Sequence, residues 1–213
     1  MAKVICIAGE SGSGKTTSMR NLNPKTTLYI DCDKKGLSWK GWKQQYNTAN
    51  KNYIKTDFVQ QVLIALKKLE TDWKDRKVAV IDTLNGLMVA DEMRRSKEKG
   101  YDKWVDLAAC VWDLVCYAHE LREDLTVIFT AHTQTDHDEN GYMFTRIKTS
   151  GKKLDKIVLE SKFTTVLLSK CVDGKYLFET QAKNSTAKSP MGAFESFEIE
   201  NDIVKVIKAL EEF

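Results

Sequence analysis

The sequence predicts an α/β fold, in which a mostly parallel central sheet is flanked by helices and carries an antiparallel β-hairpin at one edge. Three observations indicate this class. Short apolar runs alternate with segments of helical periodicity from residue 3 to residue 131. The first of these runs leads directly into a glycine-rich turn. Near the carboxyl end, two strand-like runs flank a Cys-Val-Asp-Gly turn, a pattern typical of a hairpin.

Four apolar runs predict the strands of the parallel sheet, and they cover residues 3–8, 27–31, 77–82 and 125–131. The third run is apolar between its two ends, which is typical of a strand covered on both faces. Two further strands, over 163–170 and 175–181, form the predicted hairpin at the edge of the sheet.

Helices are predicted between and after these strands, one opening near Lys15 and others over 57–73, over 84–99, from 102 onward, over 151–160 and from Asp202 onward. The second of them shows the clearest three- and four-residue apolar spacing, and Thr56 or Asp57 is expected to cap it. The polar segment 34–55 is predicted to be irregular and anchored by Trp39 and Trp42.

Composition limits the classes of protein that remain. The chain has 213 residues, so a single domain over 1–213 is expected. A hydrophobic fraction of 42% and a charged fraction of 30% are typical of a globular protein and exclude extensive disorder. The net charge of +3 is too small to indicate a nucleic-acid partner by itself.

Cysteine spacing and hydropathy predict where the protein works. The five cysteines form no CxxC pair, so free and mostly buried thiols are expected and a zinc site is not. No apolar run is long enough for a signal peptide or a membrane span. A cytoplasmic protein without a membrane partner is therefore expected.

Residues 9–16 match the P-loop pattern G-x-x-x-x-G-K-[ST] in full, between a predicted strand and a predicted helix. Glycines let backbone N–H groups turn toward phosphates, Lys15 can reach the β- and γ-phosphates, and the Thr16 hydroxyl can ligate magnesium. ATP and Mg²⁺ are the ligands expected. The predicted nucleotide-binding residues are Gly9, Glu10, Ser11, Gly12, Ser13, Gly14, Lys15, Thr16 and Thr17.

Two carboxylates are candidates for the chemistry at the phosphates. Asp82 ends the third strand and is predicted to share the magnesium ion with Thr16. Thr83 follows it, where many P-loop ATPases place a catalytic glutamate, so another residue must orient the attacking water. Asp33 is the candidate, on the expectation that the second strand lies beside the first. A solvated carboxylate of a turn is the alternative.

The order of these features resembles the RecA family core. It contains the P-loop, an Ile-Asp-x-acid strand end, Ile-Asp-Thr at 81–83 and Thr-Ala-His at 130–132. The sequence is most similar to small phage-encoded RecA-like ATPases associated with single-strand annealing. The resemblance runs from Lys3 to about Phe194 and includes Gly-Lys-Lys-Leu at 151–154 and Lys-Tyr-Leu-Phe-Glu-Thr-Gln at 175–181.

The resemblance implies roles for further residues and partners. Asp33 would hold the acidic catalytic position, and Thr130 or His132 would sense the γ-phosphate, although His132 could equally be an ordinary polar residue at a strand end. Lys183 or Lys188 would reach the nucleotide of a neighbouring subunit in a homo-oligomer, either a ring or a short filament. An exposed loop lysine is the alternative.

The implied setting is phage recombination or replication in the host cytoplasm, with single-stranded DNA as the partner and a single-strand-binding protein as a further one. Because the P-loop starts at residue 9, no segment equivalent to the one through which RecA polymerises is expected before it.

Residues 132–156 are the predicted DNA-binding segment. Two aromatic and then two basic side chains occupy every second position from 142 to 148, a combination that suits stacked bases and backbone phosphates. A solvated surface loop is the alternative, since acidic residues weaken the basic character of its first half. The candidate contacts are Tyr142, Phe144, Arg146, Lys148, Lys152 and Lys153.

Three functions remain open on the sequence. The leading one is an ATPase, stimulated by DNA. The second is a P-loop kinase of a nucleoside or small metabolite, which would need a lid with clustered arginines; Arg94 and Arg95 are the only adjacent pair. The third is a nucleotide-gated module that recruits a partner.

Overall fold

A central β-sheet organises the chain in the computed structural model, which describes residues 1–100, 102–137, 140–149 and 158–213. The strands of this described part are β1 (Lys3–Gly9), β2 (Thr27–Asp31), β3 (Tyr53–Lys55), β4 (Val78–Asp82), β5 (Thr126–His137), β6 (Met143–Ile147), β7 (Thr165–Val172), β8 (Lys175–Glu179) and β9 (Glu198–Glu200). Their order is β3-β2-β4-β5-β1-β7-β8-β9. The first six strands in this order are parallel, and β8 and β9 extend the edge in antiparallel fashion. The predicted α/β class is confirmed.

Helices cover both faces of this sheet because its strands are apolar on both sides. The described helices are α1 (Trp42–Gln45), α2 (Val59–Thr71), α3 (Leu84–Arg94), α4 (Asp102–Glu120) and α5 (Ile203–Ala209). In β1, Val4 and Cys6 face the core formed with α2, α3 and α4, whereas Ile5 and Ile7 face the core formed with α5. This two-residue alternation sends successive side chains to opposite faces of one strand.

The segment 34–55 packs through its aromatic residues. Trp39 and Trp42 are partly buried and lie against the core on the α5 side, as predicted. The prediction that the whole segment is irregular is wrong, because α1 and the edge strand β3 lie within it. Three residues of β3 are too few to show a two-residue pattern.

The predicted helix at Lys15 is wrong. A single 3-10 turn covers Thr17–Met19, and Arg20 N–H closes it on Thr17 O at 3.1 Å. The chain reaches Asn23 and Pro24 within the next turn, and a residue before proline is disfavoured in the α conformation. The P-loop is therefore not followed by a long helix whose dipole could stabilise a bound phosphate.

The predicted place of the second strand is also wrong. β2 pairs with β3 and β4, and both β4 and β5 separate it from β1. The strands of a parallel sheet are all similarly apolar, so the sequence of one strand does not indicate which strands lie next to it.

Several element ends differ from the sequence prediction. Phe58, rather than Thr56 or Asp57, occupies the N-cap position of α2, and no described side chain donates or accepts a cap hydrogen bond there. The Thr56 hydroxyl accepts a hydrogen bond from Phe58 N–H at 3.2 Å. The third helix ends at Arg94, not at residue 99. Of the predicted helix 151–160, residues 151–157 lie outside the described residues, and a 3-10 turn covers Leu159–Lys162.

β5 continues beyond the predicted strand and leaves the sheet. Its last part pairs with β6 as an antiparallel ribbon, from Thr133 opposite Ile147 to His137 opposite Met143. The segment predicted as a long polar loop is thus partly a two-stranded ribbon. This part of β5 contains polar threonine and glutamine residues, so hydropathy does not predict it as a strand.

Two further findings concern thiols and membranes. All five cysteines are free; Cys6 and Cys32 are buried, Cys110 and Cys116 are half-buried and Cys171 is exposed. Among the helices that the structure describes, none combines the length and the apolar character needed to cross a bilayer.

Candidate functional site

Polar side chains converge where β1, β5 and β4 end at the same edge of the sheet. Gly9, the last residue of β1, lies opposite His132 of β5. Asp82 ends β4, the neighbour of β5 on its other side. Carboxyl ends of adjacent parallel strands are the usual place for a ligand in an open α/β sheet.

The loop after β1 presents free backbone donors. Gly12 and Gly14 have φ values of +81° and +95°, which side chains rarely adopt. A Cβ at Gly12 would meet no atom within 4 Å, so the space over the loop is open. The N–H groups of Gly14, Lys15 and Thr16 donate to no acceptor among the described residues. Such a run of unpaired backbone amides suits an anion.

Lys15 is buried in the middle of this loop. Its Nζ donates to the carbonyls of Gly9 at 2.8 Å and Glu10 at 2.7 Å, and lies 3.4 Å from His132 Nδ1. Burial lowers the pKa of Lys15 to about 8. Burial and the neighbouring Lys15 charge also lower the pKa of His132. A phosphate that binds in the loop would therefore contact the Lys15 ammonium group, whose charge the two carbonyls offset only in part.

Asp82 is fixed by three hydroxyl groups. Thr16 Oγ1 donates to Oδ2 at 2.8 Å, Tyr29 OH donates to the same oxygen at 2.6 Å, and Thr130 Oγ1 donates to Oδ1 at 2.6 Å. Asp82 is 2% exposed. Thr130 is thus a support of Asp82, whereas His132 is the residue that faces Lys15.

The pair formed by Thr16 and Asp82 fits magnesium. Mg²⁺ prefers oxygen ligands and is commonly bound through one or two protein groups together with substrate phosphates. Thr16 supplies a hydroxyl and Asp82 a carboxylate, and their oxygen atoms lie 2.8 Å apart next to the P-loop amides. When bound there, the ion would neutralise charge on the phosphates.

This geometry agrees with the family to which the sequence corresponds. Residues 1–190 match a family model described as an AAA domain. The chain belongs to the AAA domain family. It is accordingly a P-loop nucleotide-binding domain of the ATPase type. No curated protein matches the sequence.

Asp33 lies at the same edge of the AAA domain as Asp82, although β2 is three strands from β1. Its Oδ1 accepts a hydrogen bond from Thr83 Oγ1 at 3.0 Å, and its Oδ2 lies 2.5 Å from Lys35 Nζ. Thr83 directly follows Asp82, and the peptide bond between them is cis. Asp31, the last residue of β2, has different partners, and it accepts hydrogen bonds from Tyr53 OH and Gly36 N–H.

Asn85 connects the phosphate edge of the AAA domain to the β5–β6 ribbon, a role that the sequence did not indicate. Its Oδ1 accepts from His132 N–H at 2.7 Å, and its Nδ2 donates to Lys148 O at 2.8 Å. Lys148 N–H donates in turn to His132 O at 2.7 Å. The backbone beside Lys15 is therefore tied to the residue that follows β6.

The predicted DNA-binding residues fall in different environments. Tyr142 is 72% exposed before β6, and the Lys148 side chain is exposed after it. Phe144 and Arg146 share one face of the ribbon and are half-buried. Arg146 forms an ion pair with Asp136 on β5, which compensates its charge. Lys152 and Lys153 lie outside the described residues.

The two lysines predicted to act on a neighbouring subunit follow β8. Lys183 is exposed. Lys188 is half-buried, and its backbone bonds in both directions to Val166 of β7 at 2.8 Å. Asn184 O accepts from Thr145 N–H of β6, so the segment that carries both lysines also contacts the ribbon.

ATP affinity of the AAA domain should fall as the pH rises through about 8. Lys15 must be charged to hold the triphosphate, and its pKa of about 8 in the free protein means that the charge is present below that pH and is lost above it. Affinity should be level below the pKa and then fall by up to about tenfold per pH unit. Binding near pH 8 should also take up a fraction of a proton.

Titration calorimetry in buffers of different ionisation enthalpy measures both quantities on the unmodified protein. A flat affinity across this range with no proton uptake would show that the Lys15 pKa is not lowered.

Proposed function

We propose that the chain is a RecA-like ATPase in which ATP hydrolysis is coupled to the binding of single-stranded DNA, in phage recombination or replication. The observation that carries the proposal is the continuity of β5. The same strand places His132 beside Lys15 and then extends into the ribbon with β6. A change at the phosphate edge thus has a direct path to the candidate DNA surface.

The hydrolytic step assigns one task to each side chain at the edge. Lys15 and the loop amides hold the phosphates, and Thr16 with Asp82 would hold the metal. Asp33 accepts a proton from the attacking water as the oxygen of that water bonds to the γ-phosphorus. The bond between the γ-phosphorus and the bridging oxygen breaks, and ADP leaves. Thr83 keeps Asp33 beside Asp82.

In this proposal, His132 responds to loss of the γ-phosphate. Its ring faces Lys15, and its backbone is held at both the N–H and the C=O by Asn85 and Lys148. When Lys15 no longer binds a phosphate, its contacts with His132 and with its own loop return. In this proposal the movement passes through Asn85 to Lys148 and changes how the ribbon holds DNA.

The surface of the ribbon supports single-strand binding through stacking more than through charge. Tyr142 and Met143 are 72% and 58% exposed, and the Lys148 side chain points into solvent. An exposed aromatic ring offers a stacking surface to any base. Because Arg146 is paired with Asp136, few cations remain for phosphates on the described part.

The kinase alternative is not favoured. Arg94 contacts Asp57 and lies over the Phe58 ring at 4.0 Å, while Arg95 bonds to Glu98 and Asp106. Both arginines end or follow α3, and both side chains already pair with acidic groups. A phosphate-binding lid would need arginines whose charges are not already compensated.

The proposal includes assembly of several copies on DNA. Lys183 is exposed on the segment after β8, where it could reach a neighbouring copy. In this arrangement Lys183 or Lys188 completes the nucleotide site of the adjacent subunit. A single-strand-binding protein would be a further partner on the same DNA.

ATP turnover with and without single-stranded DNA tests the proposal. Turnover should rise with DNA, and the rise should shrink as salt increases because phosphate contacts are screened. Asp33→Asn should slow turnover by about a hundredfold while ATP still binds. Asp75→Asn, on an exposed turn, is the matched control. Light scattering in ATP reports assembly in the same samples.

Turnover that ignores DNA across the whole salt series would refute the coupling. Full turnover by Asp33→Asn would remove Asp33 from the reaction. Phosphate transfer to an added nucleoside would favour the kinase instead.

A further inference from the structure

A cleft of about 540 Å³ opens beside the P-loop on the side away from the metal pair. Strands β7, β8 and β9 lie on one side of β1, whereas β5 and β4, which carry His132 and Asp82, lie on the other. The cleft is lined by Thr17 and Arg20, by residues of β8 and β9, and by Asn201.

The cleft lies next to the place expected for the triphosphate. Thr16 and Asp82 would hold magnesium together with the terminal phosphates of the nucleotide. The rest of the nucleotide must lie beside these phosphates, and Thr17, which follows Thr16 in the chain, borders the cleft.

Tyr176 of β8 forms a surface in this cleft that is in contact with the loop. A Cβ placed on Gly14 would lie 2.7 Å from Tyr176 Cδ1, so the ring lies directly against the P-loop backbone. The side chain remains 44% exposed. A ring that is buried against the loop on one side and open on the other is suited to stacking.

Asn201 supplies an unused polar group at the same cleft. It is 2% exposed, and its Nδ2 donates to Ser169 Oγ at 3.1 Å, which in turn donates to Ser13 O of the loop at 2.7 Å. Its Oδ1 accepts no hydrogen bond from the described residues. Buried acceptors without a partner are rare in folded proteins, which points to a donor on a ligand.

Most charged groups around the cleft have a partner of opposite charge. Arg20 donates to Asn201 O at 2.7 Å and lies 3.9 Å from Glu200. Glu198 pairs with Lys170 at 2.6 Å. Lys175 also lines the cleft and forms no ion pair with the described residues.

We propose that the cleft is the nucleobase subsite, with Tyr176 as the stacking surface and Asn201 Oδ1 as an acceptor for a base N–H group. This inference rests on the proposed function, since it assigns the nucleoside end of the same nucleotide site. It adds a specificity-determining residue that lies outside the P-loop and outside the metal pair.

Competition between two magnesium-bound ligands tests the subsite. ATP carries a base, and inorganic tripolyphosphate carries only the phosphates. Tyr176→Ala should weaken ATP binding by about tenfold, the effect of losing one stacked base, and should leave tripolyphosphate binding unchanged. Tyr176→Phe should keep the ATP affinity. Phe213→Ala, an exposed aromatic residue elsewhere, is the matched control.

Each other outcome overturns the subsite. An equal loss for both ligands would mean that Tyr176 only supports Gly14, and no loss would mean that the base lies elsewhere. If the wild-type protein binds tripolyphosphate as tightly as ATP, the phosphate site stands and the subsite falls. If it binds neither ligand, the proposed nucleotide function fails together with the subsite.

Discussion

Lys15→Met is expected to reduce ATP hydrolysis by at least about a hundredfold, the typical loss when one preorganised charge is removed from a transition state. The ammonium group lies inside the loop, on the carbonyls of Gly9 and Glu10, and methionine can replace its length but not its charge. The measurement is steady-state phosphate release at saturating magnesium-ATP. Lys25→Met, at an exposed turn, should behave like the wild-type protein.

A Lys15→Met protein that hydrolyses ATP at the wild-type rate would place the reaction at another site. Circular dichroism should confirm that the variant is folded. Removing a buried cation from between two carbonyls exposes no core, so a native spectrum is expected.

Asp82→Asn is expected to slow magnesium-dependent hydrolysis by at least about a hundredfold. Metal-assisted charge stabilisation contributes several kcal/mol to the transition state, and this variant loses it. The carboxylate accepts hydrogen bonds from Thr16, Tyr29 and Thr130. An amide has only one acceptor oxygen, so at least one of these hydroxyl groups loses its partner and the metal loses a charged ligand.

Turnover measured across a magnesium titration separates the two effects for Asp82→Asn. The apparent magnesium affinity should fall, whereas Asp75→Asn should leave it unchanged. Wild-type turnover by Asp82→Asn at low magnesium would exclude Asp82 from the metal site.

The sequence predicted those parts of the site whose residues are close together in the chain and form a recognisable pattern. Residues 9–16 form a loop whose spacing alone requires amides, Lys15 and Thr16 to converge. Asp82 was predictable because it ends a β-rich apolar run. Their hydrogen bond spans 66 positions in the sequence, yet it follows from two local signals and the shared edge of a parallel sheet.

Tyr29 and Asn85 were not predictable, because their positions have ordinary explanations. Tyr29 lies in a buried strand and has the pattern of a core residue, and only the pairing of β2 with β4 brings its hydroxyl to Asp82. Asn85 lies in the first turn of α3, where a polar residue commonly serves the helix end. Its partners are His132 of β5 and Lys148, the residue that follows β6.

The order of the strands and the ribbon depend on pairing across the chain. Apolar runs of similar length do not distinguish neighbours, so β2 beside β4 rather than β1 had no local signal. The ribbon part of β5 is stabilised by backbone pairing with β6 and by contacts such as Asp136 with Arg146. Neither kind of contact requires apolar residues at regular spacing, so the sequence shows no periodic pattern there.

Titration calorimetry of magnesium-ATP into the wild-type protein tests the central claim most directly. The claim is that the amide loop around Lys15 holds a triphosphate whose metal is shared by Thr16 and Asp82. The account predicts binding of one nucleotide per chain in the micromolar range, which weakens when magnesium is chelated. Absence of binding with magnesium present, or an affinity indifferent to magnesium, would contradict it.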